Sequence, residues 1–172
     1  MPETTLAADL AALQHMMTVG GLLDHMRQPT TAEKKQQART ALPKLVGWMG
    51  RSQFAALSQG MRGEEWEFFA DKAIELAGII EAMPETYSTA GQGRDAVAHL
   101  RYFAGGQAAW YITEKDKGSP DDAPEDFQSQ AFGLADLFGD GGELGYINIG
   151  EIIKARGELD FYWTPKPLKE IE

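Results

Sequence analysis

The chain contains no cysteine and only three histidines. The first absence excludes disulfides, thiolate metal sites and a cysteine nucleophile. It also fits a reducing compartment, so a cytoplasmic location is expected. His15, His25 and His99 are scattered and form no paired-histidine zinc motif. There is no nucleophile elbow and no Walker loop. No apolar run approaches the roughly 18 residues that a membrane span needs, so no membrane partner is expected. The opening stretch MPETTLAADLAALQHMM contains acids and lacks the basic start of a secretory leader, and none is expected. Positive charge is also scarce: 16 Lys and Arg face 26 Asp and Glu, a net charge of −10.

The charge is unevenly spread. Residues 1 to 60 are net +2, residues 61 to 120 are net −4, and residues 121 to 172 are net −8. So acidic a surface repels phosphate backbones over most of its area. The one locally basic stretch, residues 33 to 51, carries Lys34, Lys35, Arg39 and Arg51. These are the candidate nucleic-acid contacts, and they also read as one solvated helix face. Nucleic-acid binding is therefore expected to be weak or absent.

What is present is an ordinary globular composition, 43% hydrophobic and 24% charged, in 172 residues. In the first half the apolar spacing is helical. Leu6, Leu10, Leu13 and Met17 recur at steps of four, three and four. Thr30 with Glu33 has the spacing of a capping box. A new helix is expected near Pro43, and Ser52 is placed to cap a short one. The strongest pattern is EEWEFFADKAIELAGIIEAM, residues 64 to 83. There Trp66, Phe69, Ala73, Leu76, Ile80 and Met83 share a face, and Pro84 closes the helix.

From residue 95 the period becomes two. AVAHLRYFA places Ala98, Leu100 and Tyr102 on one side, and Gly105-Gly106 turns the chain. AAWYITE follows, with Trp110 and Ile112 opposite Tyr111 and Thr113. Residues 115 to 129 read as a long acidic loop, then QAFGLADL and ELGYI as strands. Asn148 with Glu151 begins a short helix, and ELDFYW, residues 158 to 163, is the last strand. The expected fold is α+β. An N-terminal helical segment, residues 1 to 62, precedes an α+β domain, residues 63 to 172. That domain carries four or five mainly antiparallel strands, with a short helix before the last.

The glycine-rich stretch around Asp136, Asp140 and Glu143 invites a metal or phosphate reading. A calcium loop beginning at Asp136 would put Phe138 and Ile147 where oxygen ligands belong. A phosphate loop must open a helix, and these glycines lead into a strand. The stretch is expected to be a hairpin turn, with Asp140-Gly141 as the pair at positive φ. GQGRDA, residues 91 to 96, matches a dinucleotide fingerprint in letters but precedes a strand rather than opening a helix. The rings of Tyr102, Phe103, Trp110 and Tyr111 are expected to pack in the core rather than stack on bases.

Four short motifs carry a resemblance: Ile112-Thr113-Glu114; Phe132-Gly133-Leu134 with Asp136-Leu137; Glu143 to Tyr146; and the run LDFYWTPKPL. On these, residues 64 to 172, and best residues 108 to 168, the chain resembles domain-of-unknown-function family 2958. Its members are small proteins carried by phages, plasmids and integrated elements. Where that family shows Ser before the short helix, this chain has Asn148, which also caps. The resemblance implies a mobile-element origin and an accessory role inside the cell.

The leading expectation is non-enzymatic binding of a host or element protein with a basic surface, such as a nucleic-acid-handling or defence component. Asp121, Asp122, Glu125, Asp126, Glu114, Asp136 and Glu143 are the candidate partner-binding residues. No catalytic residue, metal ligand or cofactor is assigned on this reading. A second reading is a metal-dependent hydrolase using Glu114, Asp136 and Glu143. A third is a weak nucleic-acid-binding module on residues 34 to 51.

Overall fold

A computed structural model describes residues 28–123 and 126–171. The expected first helix, with its leucine stripe, His15 and His25, lies outside the described residues, as does Glu125. The chain divides into two compact units, residues 1–34 and 35–172. In the first, the capping box forms: Glu33 N–H donates to Thr30 Oγ1 at 3.3 Å, and Thr30 N–H donates to Glu33 Oε2 at 2.7 Å.

The elements are α1 (Thr31–Ala41), a 3₁₀ turn (Leu42–Leu45), α2 (Arg51–Gly60) and α3 (Trp66–Ala82), then β1 (Val97–Ala98), β2 (Leu100–Phe103), β3 (Ala109–Glu114), β4 (Ala131–Asp136) and β5 (Glu143–Ile147), then α4 (Ile149–Lys154), β6 (Glu158–Leu159) and β7 (Lys166–Pro167). The main sheet is five-stranded, in the order β5-β4-β3-β2-β6, and every pairing in it is antiparallel. This is the expected α+β class, with α4 preceding the short last strand of the main sheet. The division expected at residue 62 instead falls inside the second unit. Leu45, Trp48, Met49 and Leu57 share one core with Leu100, Tyr102, Ile112 and Leu159 of the sheet.

The helical stripe behaves as its period dictates. α3 buries Ala73, Leu76 and Ile80 against one sheet face, with Ala70 and Ala77 beside them. Phe69 is half-buried against that core. Trp66, expected in it, lies outside, and its ring receives the Lys35 ammonium 4.6 Å from the centroid. Tyr102 is fully buried and donates its hydroxyl to Trp48 O at 2.6 Å, and burial pushes its phenol far up. Gln53 of α2 closes the β6 edge of the sheet. Its Nε2 donates to Leu159 O at 2.6 Å, and Leu159 N–H donates to its Oε1 at 3.1 Å. Ser52 does not cap α2; Gly50 holds that position, without a side-chain hydrogen bond. Asn148 does cap α4, accepting from Glu151 N–H at 3.0 Å.

Three strand expectations need correction. Ala98 joins the small cluster on the opposite sheet face from Leu100 and Tyr102, because the chain breaks its strand at His99. The β2–β3 connection is a five-residue loop closed by Ala104 N–H to Ala108 O at 3.1 Å, in which only Gly106 of the glycine pair has positive φ, +86°. ELDFYW is a strand only at Glu158–Leu159. Asp160 ends it, because its carboxylate accepts from Tyr162 N–H at 2.9 Å, a local turn that competes with the sheet ladder. Trp163 then crosses to the second face and donates Nε1–H to Ala98 O at 3.0 Å.

Candidate functional site

The second face of the sheet is only partly covered. Trp163, Leu168 and Ile171 pack over Ala98, Ala109, Tyr111 and Leu134. Toward β5, Phe132, Leu144 and Tyr146 instead border a cleft of about 340 Å³, whose other wall is the segment 86–93.

A β-bulge builds the floor. β3 pairs Ile112 with Gly133 and then Glu114 with Phe132, so Thr113 is the extra residue. Strict alternation would put Glu114 on the Ile112 side, toward the main core. The bulge re-aims it, and both Thr113 and Glu114 line the cleft. Thr113 is buried and donates Oγ1–H to Phe132 O at 3.1 Å. Glu114 is only 2% exposed. Isolated, such a carboxylate would cost several kcal/mol to bury. Here it accepts from Tyr87 N–H at 2.7 Å, Thr89 N–H at 2.5 Å and Thr89 Oγ1–H at 2.6 Å. Charge-assisted bonds of this kind offset the desolvation and fix the loop.

The next residue anchors the same segment from below. Lys115 Nζ donates to Ile80 O at 3.0 Å and Glu81 O at 2.9 Å, at the carbonyl end of α3. Lys115 N–H donates to Pro84 O at 2.8 Å, and Thr86 N–H donates to Lys115 O at 2.9 Å. The chain leaving α3 is therefore pinned to the end of β3 before it turns over the sheet. Tyr87 then takes φ +78°, a conformation rare for a residue with a Cβ. Its ring projects outward, 69% exposed. Tyr146 of β5, 57% exposed, donates its hydroxyl to Tyr87 Oη at 2.9 Å. That bond raises the Tyr146 phenol above its ordinary value, and desolvation and the nearby Glu114 carboxylate act the same way. Tyr146 is thus a neutral donor at physiological pH.

Asp136, in contrast, organises a turn. Its carboxylate accepts from Gly139 N–H at 2.7 Å, Asp140 N–H at 3.2 Å and Gly141 N–H at 3.3 Å. Desolvation opposes ionisation, but these backbone donors, with that of Phe138, outweigh it and hold the carboxyl below its usual range. The turn reading of this stretch stands, with a different geometry. Positive φ falls on Gly139, Gly141 and Gly142, not on an Asp140-Gly141 pair.

The candidate residues separate accordingly. Ala109 pairs with Asp136 at one end of β3 and Glu114 with Phe132 at the other, four β4 residues or about 13 Å away at the strand rise of about 3.3 Å per residue. Glu143 pairs with Ala135, near Asp136 and far from Glu114. The three carboxylates therefore do not converge on a common ion. Among the described residues no group of three His, Asp or Glu side chains could hold a metal.

The acidic loop is internally bonded. Asp122 accepts from Ser119 N–H at 2.5 Å and Asp126 from Ala123 N–H at 3.2 Å, while Asp121 is exposed. Phe127 anchors the loop edge-on to Trp48, with centroids 5.6 Å apart. Of the basic candidates, Lys34, Lys35 and Arg39 lie on α1, and Arg51 begins α2.

Gly91, Gly93 and Tyr87 were not assigned to a site from sequence. Gly91 and Gly93 line the cleft with φ of +83° and +54°. The dinucleotide-like lettering of residues 91 to 96 was the only signal there, and it marks loop geometry. His99 is half-buried, and desolvation lowers its pKa. Among the described residues, no helix is long and apolar enough to cross a membrane.

Fold and cleft together define an α+β protein with a concave, aromatic-walled cleft on the open part of a sheet face. No family model, curated protein or solved structure matches the chain.

Proposed function

We propose that this protein is a non-enzymatic accessory protein that binds a basic protein partner through the cleft and the rings around it. One observation carries the reading: Tyr87 and Tyr146 are exposed beside a cleft whose floor is a buried carboxylate. Exposed aromatic side chains around a concavity are typical anchors of recognition surfaces. Both Glu114 oxygens accept hydrogen bonds from the segment above them, an arrangement that suits a positioning role better than proton transfer. The net charge of −10 favours a partner of opposite sign. The resemblance to family 2958 supports a phage, prophage or plasmid origin, a cytoplasmic setting, and a host or element protein as the target. A nucleic-acid-handling enzyme or defence component would offer the required basic surface.

The test compares proteins retained from host lysate by the parent chain and by a Tyr87→Ala/Tyr146→Ala variant. A retained protein is then purified and its binding remeasured. The expected result is a basic protein lost with the variant and bound again in purified form. Identical retention by both chains, or no binding between purified components, would overturn the reading.

A further inference from the structure

We propose that the cleft takes one basic side chain, a lysine ammonium or an arginine guanidinium, presented by the partner. This rests on the binding reading above and names the chemistry its site selects. Three rings border the cleft. Tyr146 stands at 79° to Tyr87 with centroids 6.4 Å apart, and at 81° to Phe132 with centroids 5.7 Å apart. The rings bordering the cleft therefore stand in two orientations, and the negative face of an aromatic ring attracts a cation.

The floor adds a full charge. Glu114 lines the cleft, and no Lys, Arg or His is among its lining residues. The two nearest basic residues in sequence are committed elsewhere. Lys115 binds the α3 carbonyls, and Arg94 Nη2 donates to Gly141 O at 2.6 Å. The carboxylate accepts three hydrogen bonds, and a carboxylate has about four acceptor positions. Its charge thus meets hydrogen-bond donors but no counter-cation in the cleft.

An anion would be repelled by Glu114. A wholly apolar ligand would make no use of the charge on the floor. A basic side chain satisfies both parts: its stem would lie against Leu144 and Phe132, and its head would meet the rings within the field of the buried carboxylate. The volume, about 340 Å³, lies at the small end of the roughly 300–1,000 Å³ of ligand sites. It suits one side chain rather than a folded element.

The test is an NMR titration of the full chain with three capped tripeptides, Gly-Lys-Gly, Gly-Arg-Gly and Gly-(Nε-acetyl-Lys)-Gly. The lysine and arginine peptides should shift the amide resonances of Tyr87, Thr89, Gly91 and Glu114. Acetylation should weaken binding about tenfold, since it removes the charge but not the stem. Tyr146→Leu, at an exposed position where the fold should persist, should weaken the lysine peptide about fivefold. Glu114→Gln should weaken it further if its amide spectrum remains dispersed, and the tyrosine variant decides the matter if it does not.

Equal binding of the acetylated peptide, shifts confined to Asp121, Asp122 and Asp126, or no shifts at all would each overturn the proposal. A purified partner that needs Tyr87 and Tyr146, with no peptide response in the cleft, would leave the binding reading standing and remove the basic side chain from it. Peptide binding with no protein partner would have the converse meaning.

Discussion

Gly133 sits in the middle of β4, opposite Ile112 and Gly145. A Cβ built on it would run into the backbone carbonyl of Tyr111, and backbone cannot swing aside as a side chain can. Gly133→Ala should therefore cost about 3 kcal/mol or more, toward the upper end for overpacking, read as a lowered denaturant midpoint. An unchanged midpoint would mean that β4 shifts without penalty. Asp136 makes a prediction of the other kind. Its folded pKa lies below the ordinary 3.8, so its contribution is complete above that value. As pH falls, the unfolded carboxyl protonates first, and the contribution is lost through the folded pKa. The melting-temperature gap between parent and Asp136→Asn should therefore be constant at neutral pH and narrow in acid. A gap that stays constant through the acid range would assign the turn to something other than the carboxylate. That Asp136 belongs to a turn was legible from the glycines that follow it. Which residue closes the turn was not, because Asp136 and Asp140 offer the same side chain and only the path of the backbone chooses between them.

Lys115 links two elements and has a measurable role in doing so. Its ammonium meets the last carbonyls of α3, where the helix dipole favours positive charge. Lys115→Met keeps the stem and removes the donors, and should cost about 1 kcal/mol in denaturant unfolding. No loss would show that water serves those carbonyls equally well. The helix itself was plain in the sequence, because Ala73, Leu76 and Ile80 repeat with its period and their burial follows from that period. The β3 bulge was not. AWYITE has the same letters with or without one extra residue in the ladder, yet that residue decides whether Glu114 enters the core or the cleft. The segment 86–93 was equally silent, since its fold over the sheet depends on bonds to Glu114 and Lys115 from nearly 30 positions away. Local pattern carries information about local pairing and little about which distant loop a carboxylate will hold. ELDFYW shows the converse: its alternation is real, and Asp160 overrides it with a turn.

At the scale of the molecule the excess negative charge is a long-range field, and its effect should appear in rates. Neutralising Asp121, Asp122, Glu125 and Asp126 to Asn or Gln should leave unfolding within about 0.5 kcal/mol of the parent, because an amide oxygen can still accept the bonds that Asp122 and Asp126 receive. Association with a basic partner should slow at low salt and converge with the parent at high salt. Rates that coincide across the whole salt series would reduce the loop to a solubilising surface. Asp116 is left out of that variant because Gly118 N–H, Ser129 Oγ–H and Gln130 N–H all donate to its carboxylate. The two ends of the main sheet differ in a way that bears on assembly. Gln53 occupies the ladder positions beside Leu159, whereas β5 has no strand on its outer side among the described residues. In the language of polymerisation, such a sheet is monofunctional: one end is already terminated. Two copies meeting through their β5 strands would consume both of those edges, so pairing through this edge of the main sheet stops at two copies.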